Sequence, residues 1–176
     1  MKEAALAEPL RLLVVEDTPD DAELALAELR RSGFAPAAER VETGAELRSL
    51  LARSTPDLIL SDYSLPTFTG LEALAIARQL VPDVPFILYT GSRNEETAVH
   101  CMKAGAWDYV LKDRLSRLPI AVKRALESAE ALREKARTDA ALRASEERYR
   151  NEHARLKALL DAIPDLVFFK DARSVF

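Results

Sequence analysis

The sequence predicts an α/β fold, a doubly wound parallel sheet in three layers, and two observations carry that prediction. Short apolar runs alternate with amphipathic stretches five times between Leu10 and Leu118, the order that parallel strands and crossover helices require. Several runs are apolar throughout, as in LRLLVV (Leu10–Val15), LIL (Leu58–Leu60) and FILY (Phe86–Tyr89), which suits strands covered on both faces. Right-handed crossovers then bring every strand's carboxyl end to one edge, where an open sheet of this kind places its chemistry.

The opening MKEAALAEP, residues 1–9, lacks the long apolar stretch of a secretory signal and reads as a disordered lead-in. The Leu10–Val15 strand runs into Glu16 and Asp17. Thr18 is placed to cap the helix that follows, with Pro19 at its first position and Asp20 and Asp21 set favourably against the helix dipole. Ala22, Ala25, Leu26 and Leu29 form its apolar face, and Gly33 ends it. A weaker strand, Ala37–Val41, leads to Thr43 and Glu46, a capping box ahead of Leu47, Leu50 and Leu51. The Leu58–Leu60 strand delivers Asp62 into a loop marked by Pro66 and Gly70. Thr69 and Glu72 repeat the capping box before Leu71, Leu74, Ala75 and Leu80. The Phe86–Tyr89 strand delivers Thr90 and Gly91, and Ser92 with Glu95 caps a helix running to Ala104. Gly105 stops that helix, and the strand Trp107–Leu111 ends on Lys112.

A chain of 176 residues holds one domain of ordinary size and a remainder. Apolar residues make up 48%, enough for a core, while a 31% charged fraction points to an additional solvated helix. The formal charge of -4 gives no basic face for direct nucleic-acid binding. One cysteine, Cys101, makes no internal disulfide and reads as a packed small side chain. No apolar run reaches membrane-spanning length, so a reducing, cytoplasmic setting is expected.

The strand ends collect Glu16, Asp17, Asp62, Thr90 and Lys112. Carboxylates crowded in this way repel unless a cation sits between them, and an all-oxygen set favours a hard divalent ion such as Mg2+. Asp62 then offers an oxygen to an incoming phosphoryl group, forming an aspartyl phosphate. The metal and Lys112 neutralise charge on the phosphoryl oxygens, and the Thr90 hydroxyl donates to one of them.

With these residues and their spacings in place, Leu10 to about Leu118 resembles the receiver domain of two-component response regulators. The resemblance implies a flavodoxin-like (βα)5 sheet in the order 2-1-3-4-5. It implies Asp62 as phosphoacceptor and Thr90 and Lys112 as the groups that hold the phosphoryl. It also implies magnesium bound by Asp17, Asp62 and the backbone carbonyl of Ser64, with Glu16 acting through water. The donor implied is a histidine on a partner kinase or phosphotransfer protein. The switch implied is a latch in which Thr90 moves toward the phosphoryl group and Tyr109 swings inward, whereas plain packing at the sheet edge is the alternative for that ring. Ser64 and Ser92, two residues beyond Asp62 and Thr90, are expected to tune hydrolysis. Two departures stand out: Asp113 follows Lys112 where the family often has proline, and Phe68 and Thr69 occupy a stretch where an acid is common.

From Ser116 onward the chain is rich in Ala, Glu, Arg and Lys, with no helix breaker between Pro119 and Pro164. A helix from Arg117 to Ile163 would extend about 70 Å. Residues 119–163 are expected to be a coiled-coil linker between two copies of the chain. Val122, Ala125, Ala129, Leu132 and Ala136 would form one seam, and Leu142, Tyr149, Leu156 and Ile163 a second. A single helix held by charge pairs is the alternative. The closing LLDAIPDLVFFKDARSVF resembles the opening of a PAS sensor domain, so residues 164–176 are expected to be its truncated start and the output module to be missing. His153 lacks the proline that follows a kinase histidine, and His100 reads as a surface residue. Two rivals remain: a pseudo-receiver that docks or dimerises without phosphorylation, and a metal-dependent phosphatase. The latter would want an acid two residues after its nucleophile, where Ser64 stands.

Overall fold

The computed structural model describes residues 9–91 and 95–162, with the backbone alone described over 95–98. The lead-in at 1–8, Ser92 and its capping and tuning roles, Ile163 and the PAS-like segment at 164–176 lie outside the described residues.

Five strands, β1 (Leu10–Val15), β2 (Pro36–Val41), β3 (Leu58–Asp62), β4 (Phe86–Thr90) and β5 (Asp108–Leu111), alternate with α1 (Pro19–Arg31), α2 (Gly44–Arg53), α3 (Gly70–Leu80) and α4 (Glu95–Lys103). A 3-10 segment, Lys112–Arg117, joins β5 to α5 (Leu118–Asp161). All pairings are parallel and the order is β2-β1-β3-β4-β5, the flavodoxin-like arrangement. The chain divides into two compact units, one ending at Arg133 and one beginning at Glu134.

In the first unit the pleat sorts each strand between two cores. Leu13 and Val15, Ile59, and Phe86 and Leu88 face Leu47, Leu50 and Leu51 of α2, Leu74 and Ala77 of α3, and Cys101 of α4. Leu12 and Val14, Leu58 and Leu60, and Ile87 and Tyr89 face Ala25 and Leu29 of α1 and Val122 and Ala125 of α5. This is the period-two alternation of a strand buried on both sides. The edge strand β2 is mostly exposed and begins at Pro36, a tolerated place for a residue without an N–H. Trp107 is half-buried at the margin of the α1/α5 core.

Helix ends follow local chemistry. Thr43 with Glu46 and Thr69 with Glu72 make reciprocal capping boxes. Gly33 takes φ 92°, and the Gly33 and Phe34 N–H groups donate to Arg30 and Leu29 carbonyls, a Schellman closure of α1. Thr18 departs from expectation, because its side chain makes no cap. Its N–H donates instead to Glu16 Oε1 at 3.2 Å, drawing the start of α1 onto the acid at the end of β1.

The first seam expected in α5 is also corrected. Val122, Ala125 and Ala129 are buried in the first unit, the first two against the α1 face, so they have a partner within the chain. The second unit's described part is the helical stretch through Asp161. Its side chains are exposed, including Leu142, Tyr149 and Leu156 at seven-residue steps. Among the described residues no helix is long and apolar enough to cross a membrane.

Candidate functional site

β1, β3, β4 and β5 end side by side, so parallel register carries Glu16, Asp17, Asp62, Thr90 and Lys112 to one edge. Glu16 is fully buried, Asp62 nearly so, Thr90 is buried and Asp17 is half-buried. One carboxylate oxygen from each of Glu16, Asp17 and Asp62 lies within 4.8 Å of the others. Lys112 Nζ reaches into this cluster, donating to Glu16 Oε2 at 2.8 Å and Asp62 Oδ2 at 2.8 Å. Burial pulls the lysine's pKa down, but hydrogen bonds to Asp21, Asp62 and Glu16 outweigh it and hold the ammonium charged above its usual range.

The loop after β3 is shaped to present Asp62. Ser64 N–H donates to Asp62 Oδ1 at 3.2 Å, the Ser61 hydroxyl donates to the Asp62 carbonyl at 2.8 Å, and Gly70 N–H donates to Tyr63 O at 2.9 Å. A short bridge between Ser64 and Thr69 brings the chain back. Gly70 is required there: a Cβ at this position would sit 2.6 Å from Asp62 O and 2.8 Å from Tyr63 Cα. The loop and the start of α3 thus press directly on the end of β3.

Two site residues escaped the sequence reading. Asp21, read only as a favourable charge in the first turn of α1, accepts from Lys112 at 2.7 Å. Tyr89, read as a strand residue, donates its hydroxyl to Glu16 Oε2 at 2.6 Å, and its ring lies under Lys112 Nζ, 4.8 Å from the centroid. Burial first, and the Glu16 hydrogen bond second, push the phenol's pKa up, so it remains a donor. The signal for Asp21 was its place at the N-terminus of a helix that opens on the sheet's carboxyl edge. For Tyr89 it was a hydroxyl next to Thr90 at the end of an otherwise apolar buried strand. Arg40 adds a guanidinium bond to the Glu16 carbonyl at 2.8 Å, tying β2 to the same corner.

Of the remaining expected residues, Tyr109 lies half-buried on β5 against the α2/α3/α4 core, opposite Leu88, and burial raises its pKa. Phe68 also packs, partly buried, against that core, whereas Ser64 and Thr69 are exposed. Asp113, the departure after Lys112, stands in the first turn of the 3-10 segment that leads into α5.

The donor chemistry fits magnesium: the candidate side-chain ligands are all carboxylates, they converge, and one lysine leaves their charge uncompensated. Mg2+ takes one or two carboxylates directly and keeps several waters, which suits Asp17 and Asp62 with Glu16 further in.

A 2-1-3-4-5 parallel sheet that gathers an acid cluster and a lysine at its carboxyl edge is the arrangement of a signal receiver. Residues 12–123 match the family described as response regulator receiver domain, and the chain belongs to that family. The chain is 36% identical over 94 residues to the regulatory protein LuxO of Vibrio cholerae, covering 53% of this chain and 21% of that protein. It is 36% identical over 126 residues to the nitrogen assimilation regulatory protein NtrX of Azorhizobium caulinodans, covering 70% of this chain and 27% of that protein. Among solved structures, the phosphorylated cyanobacterial phytochrome response regulator RcpA superposes with a TM-score of 0.56 at 29% identity, over 65% of this chain and 89% of that one. The chain therefore spans about a quarter or less of the length of these two curated relatives. Receiver domains take phosphoryl groups from histidine kinases and typically bind Mg2+ at an acidic cluster, and the cluster is present here.

Proposed function

We propose that this chain is a phosphorylation-controlled receiver in which Asp62 accepts a phosphoryl group from the histidine of a partner kinase or phosphotransfer protein. The observation that carries the reading is the contact of Lys112 Nζ with Asp62 Oδ2 inside a converging acid cluster. An Asp62 oxygen forms the new P–O bond as the donor's P–N bond breaks, and the imidazole leaves with its electron pair. Lys112 turns its charge to the phosphoryl oxygens, Thr90 at the end of β4 donates its hydroxyl to one of them, and near-complete burial of Asp62 limits attack by water. Asp17, Asp62 and the Ser64 carbonyl would hold Mg2+, with Glu16 contacting it through water. Bound magnesium supplies charge neutralisation at the transferring group.

Withdrawal of Thr90 toward the phosphoryl group makes room for Tyr109 to turn inward, and Ser64 and Ser92 set the lifetime of the acyl phosphate. The state passes through α5 to an output module, and the exposed Leu142, Tyr149 and Leu156 are the seam of a homodimer in the cytoplasm. Reduction with borohydride after incubation with a phosphodonor tests the chemistry, because an aspartyl phosphate becomes homoserine. The mass change is expected on the peptide holding Asp62, and its appearance elsewhere contradicts the assignment. Sedimentation equilibrium tests the seam: the native chain is expected as a dimer and Leu142→Glu with Leu156→Glu as a monomer.

A further inference from the structure

Glu16 is a fully buried carboxylate, and burying such a charge is tolerated only while hydrogen bonds satisfy it. Its Oε2 accepts from Tyr89 Oη at 2.6 Å and Lys112 Nζ at 2.8 Å, and among the described residues its Oε1 accepts only the Thr18 N–H at 3.2 Å. Two donors occupy both lone pairs of Oε2, so Oε1 is the oxygen with capacity left for a metal or a metal-bound water. Lys112 cannot be a permanent partner of Glu16 if its charge is needed at a phosphoryl group, because its departure would strip a buried anion. Tyr89 resolves this conflict. It is itself fully buried, its phenol gives Glu16 a donor other than the lysine, and its ring face lies under the ammonium.

We infer that Tyr89 is a positioning residue that holds the inner oxygen of Glu16, turns the outer one toward the cation site and so frees Lys112 to serve the phosphoryl group. The inference rests on the receiver reading and adds to it a residue outside the acid, threonine and lysine set. Groups of this kind, bonded to a ligand's far oxygen, contribute to metal affinity through orientation.

The test is a calorimetric titration with magnesium chloride of the native chain, Tyr89→Phe, Glu16→Gln and the double variant. Phenylalanine keeps the ring under Lys112 and removes only the hydroxyl. Tyr89→Phe is expected to bind magnesium about tenfold more weakly than the native chain. The same substitution in the Glu16→Gln background is expected to change affinity hardly at all, a non-additivity that a general packing role would not produce. If Tyr89→Phe is too unstable to titrate, thermal midpoints of the four proteins complete the same cycle, with a loss in the native background and none in Glu16→Gln. Equal magnesium affinity in the native chain and Tyr89→Phe, or equal losses in both backgrounds, overturns the positioning role while leaving phosphoryl uptake by Asp62 intact. A native chain that binds no magnesium overturns the receiver reading and this role together.

Discussion

Lys112 Nζ stands 2.8 Å from Asp62 Oδ2, so the carboxylate proposed as phosphoacceptor and the ammonium proposed to serve its phosphoryl group are already joined. The same ammonium also bonds to Glu16 and Asp21, making it, among the described residues, the one cation bonded to three acids. Lys112→Ala is therefore expected to lower metal-free stability by about 2 kcal/mol, since the acids lose their partner. It is also expected to tighten magnesium binding, because a competing cation is gone. Urea unfolding with chelator and with magnesium checks both signs: the stabilisation by magnesium should be larger in the variant than in the native chain.

Gly70 sets how closely α3 approaches the end of β3. Gly70→Ala would push a methyl onto Asp62 O, Tyr63 Cα and Leu88 Cδ2, and backbone atoms yield little. A loss of about 3 kcal/mol is expected from the clash. Chemical denaturation measures it, and slower phosphoryl uptake should accompany it because the Asp62 loop is the part displaced.

On the opposite edge of the sheet, Arg11 Nη2 bonds Asp57 Oδ1 at 2.6 Å, and Arg11 N–H donates to Asp57 Oδ2 at 2.9 Å. The Arg11 side-chain hydrogen bond, against opposing burial, holds the Asp57 carboxyl below its usual range. A depressed folded-state value stabilises at pH above the ordinary carboxylate range, and that contribution is lost as pH falls through the folded-state value. The arginine is well exposed, so solvent screening leaves only a small contribution. The stability difference between the native chain and Asp57→Asn should be present at pH 6 to 7 (roughly two units above the ordinary range) and shrink below about pH 4.

The packed part of α5 belongs to the receiver core. Ala121, Val122, Ala125 and Ala129 are all buried. A chain ending at Arg133 is expected to unfold cooperatively like the full chain, whereas one ending at Leu118 is expected to lose about 5 kcal/mol, most of a small domain's stability. Circular dichroism melts of the two truncations separate these outcomes.

The strands were legible because LRLLVV, LIL and FILY are short and apolar on both faces, a pattern the parallel sheet demands. The capping boxes at Thr43 and Thr69 were legible because their chemistry is local and fixed in spacing. Thr18 has the same residue type, yet its N–H bonds Glu16 Oε1 and its side chain makes no cap bond. Tyr89 and Asp21 escaped because their roles depend on the far end of a lysine brought from β5, which no local pattern encodes. Val122, Ala125 and Ala129 show the limit of periodicity. Steps of three and four announce a covered helix face, but not whether the cover is the chain's own sheet or a second copy.

The central claim, that Asp62 is a magnesium-dependent phosphoacceptor, is tested most directly by intact mass after incubation with a small-molecule phosphodonor and magnesium. The account predicts a single phosphoryl adduct on the native chain, absent from Asp62→Asn and from the chelated control. An adduct that persists in Asp62→Asn, or no adduct on a folded, magnesium-bound native chain, would contradict it.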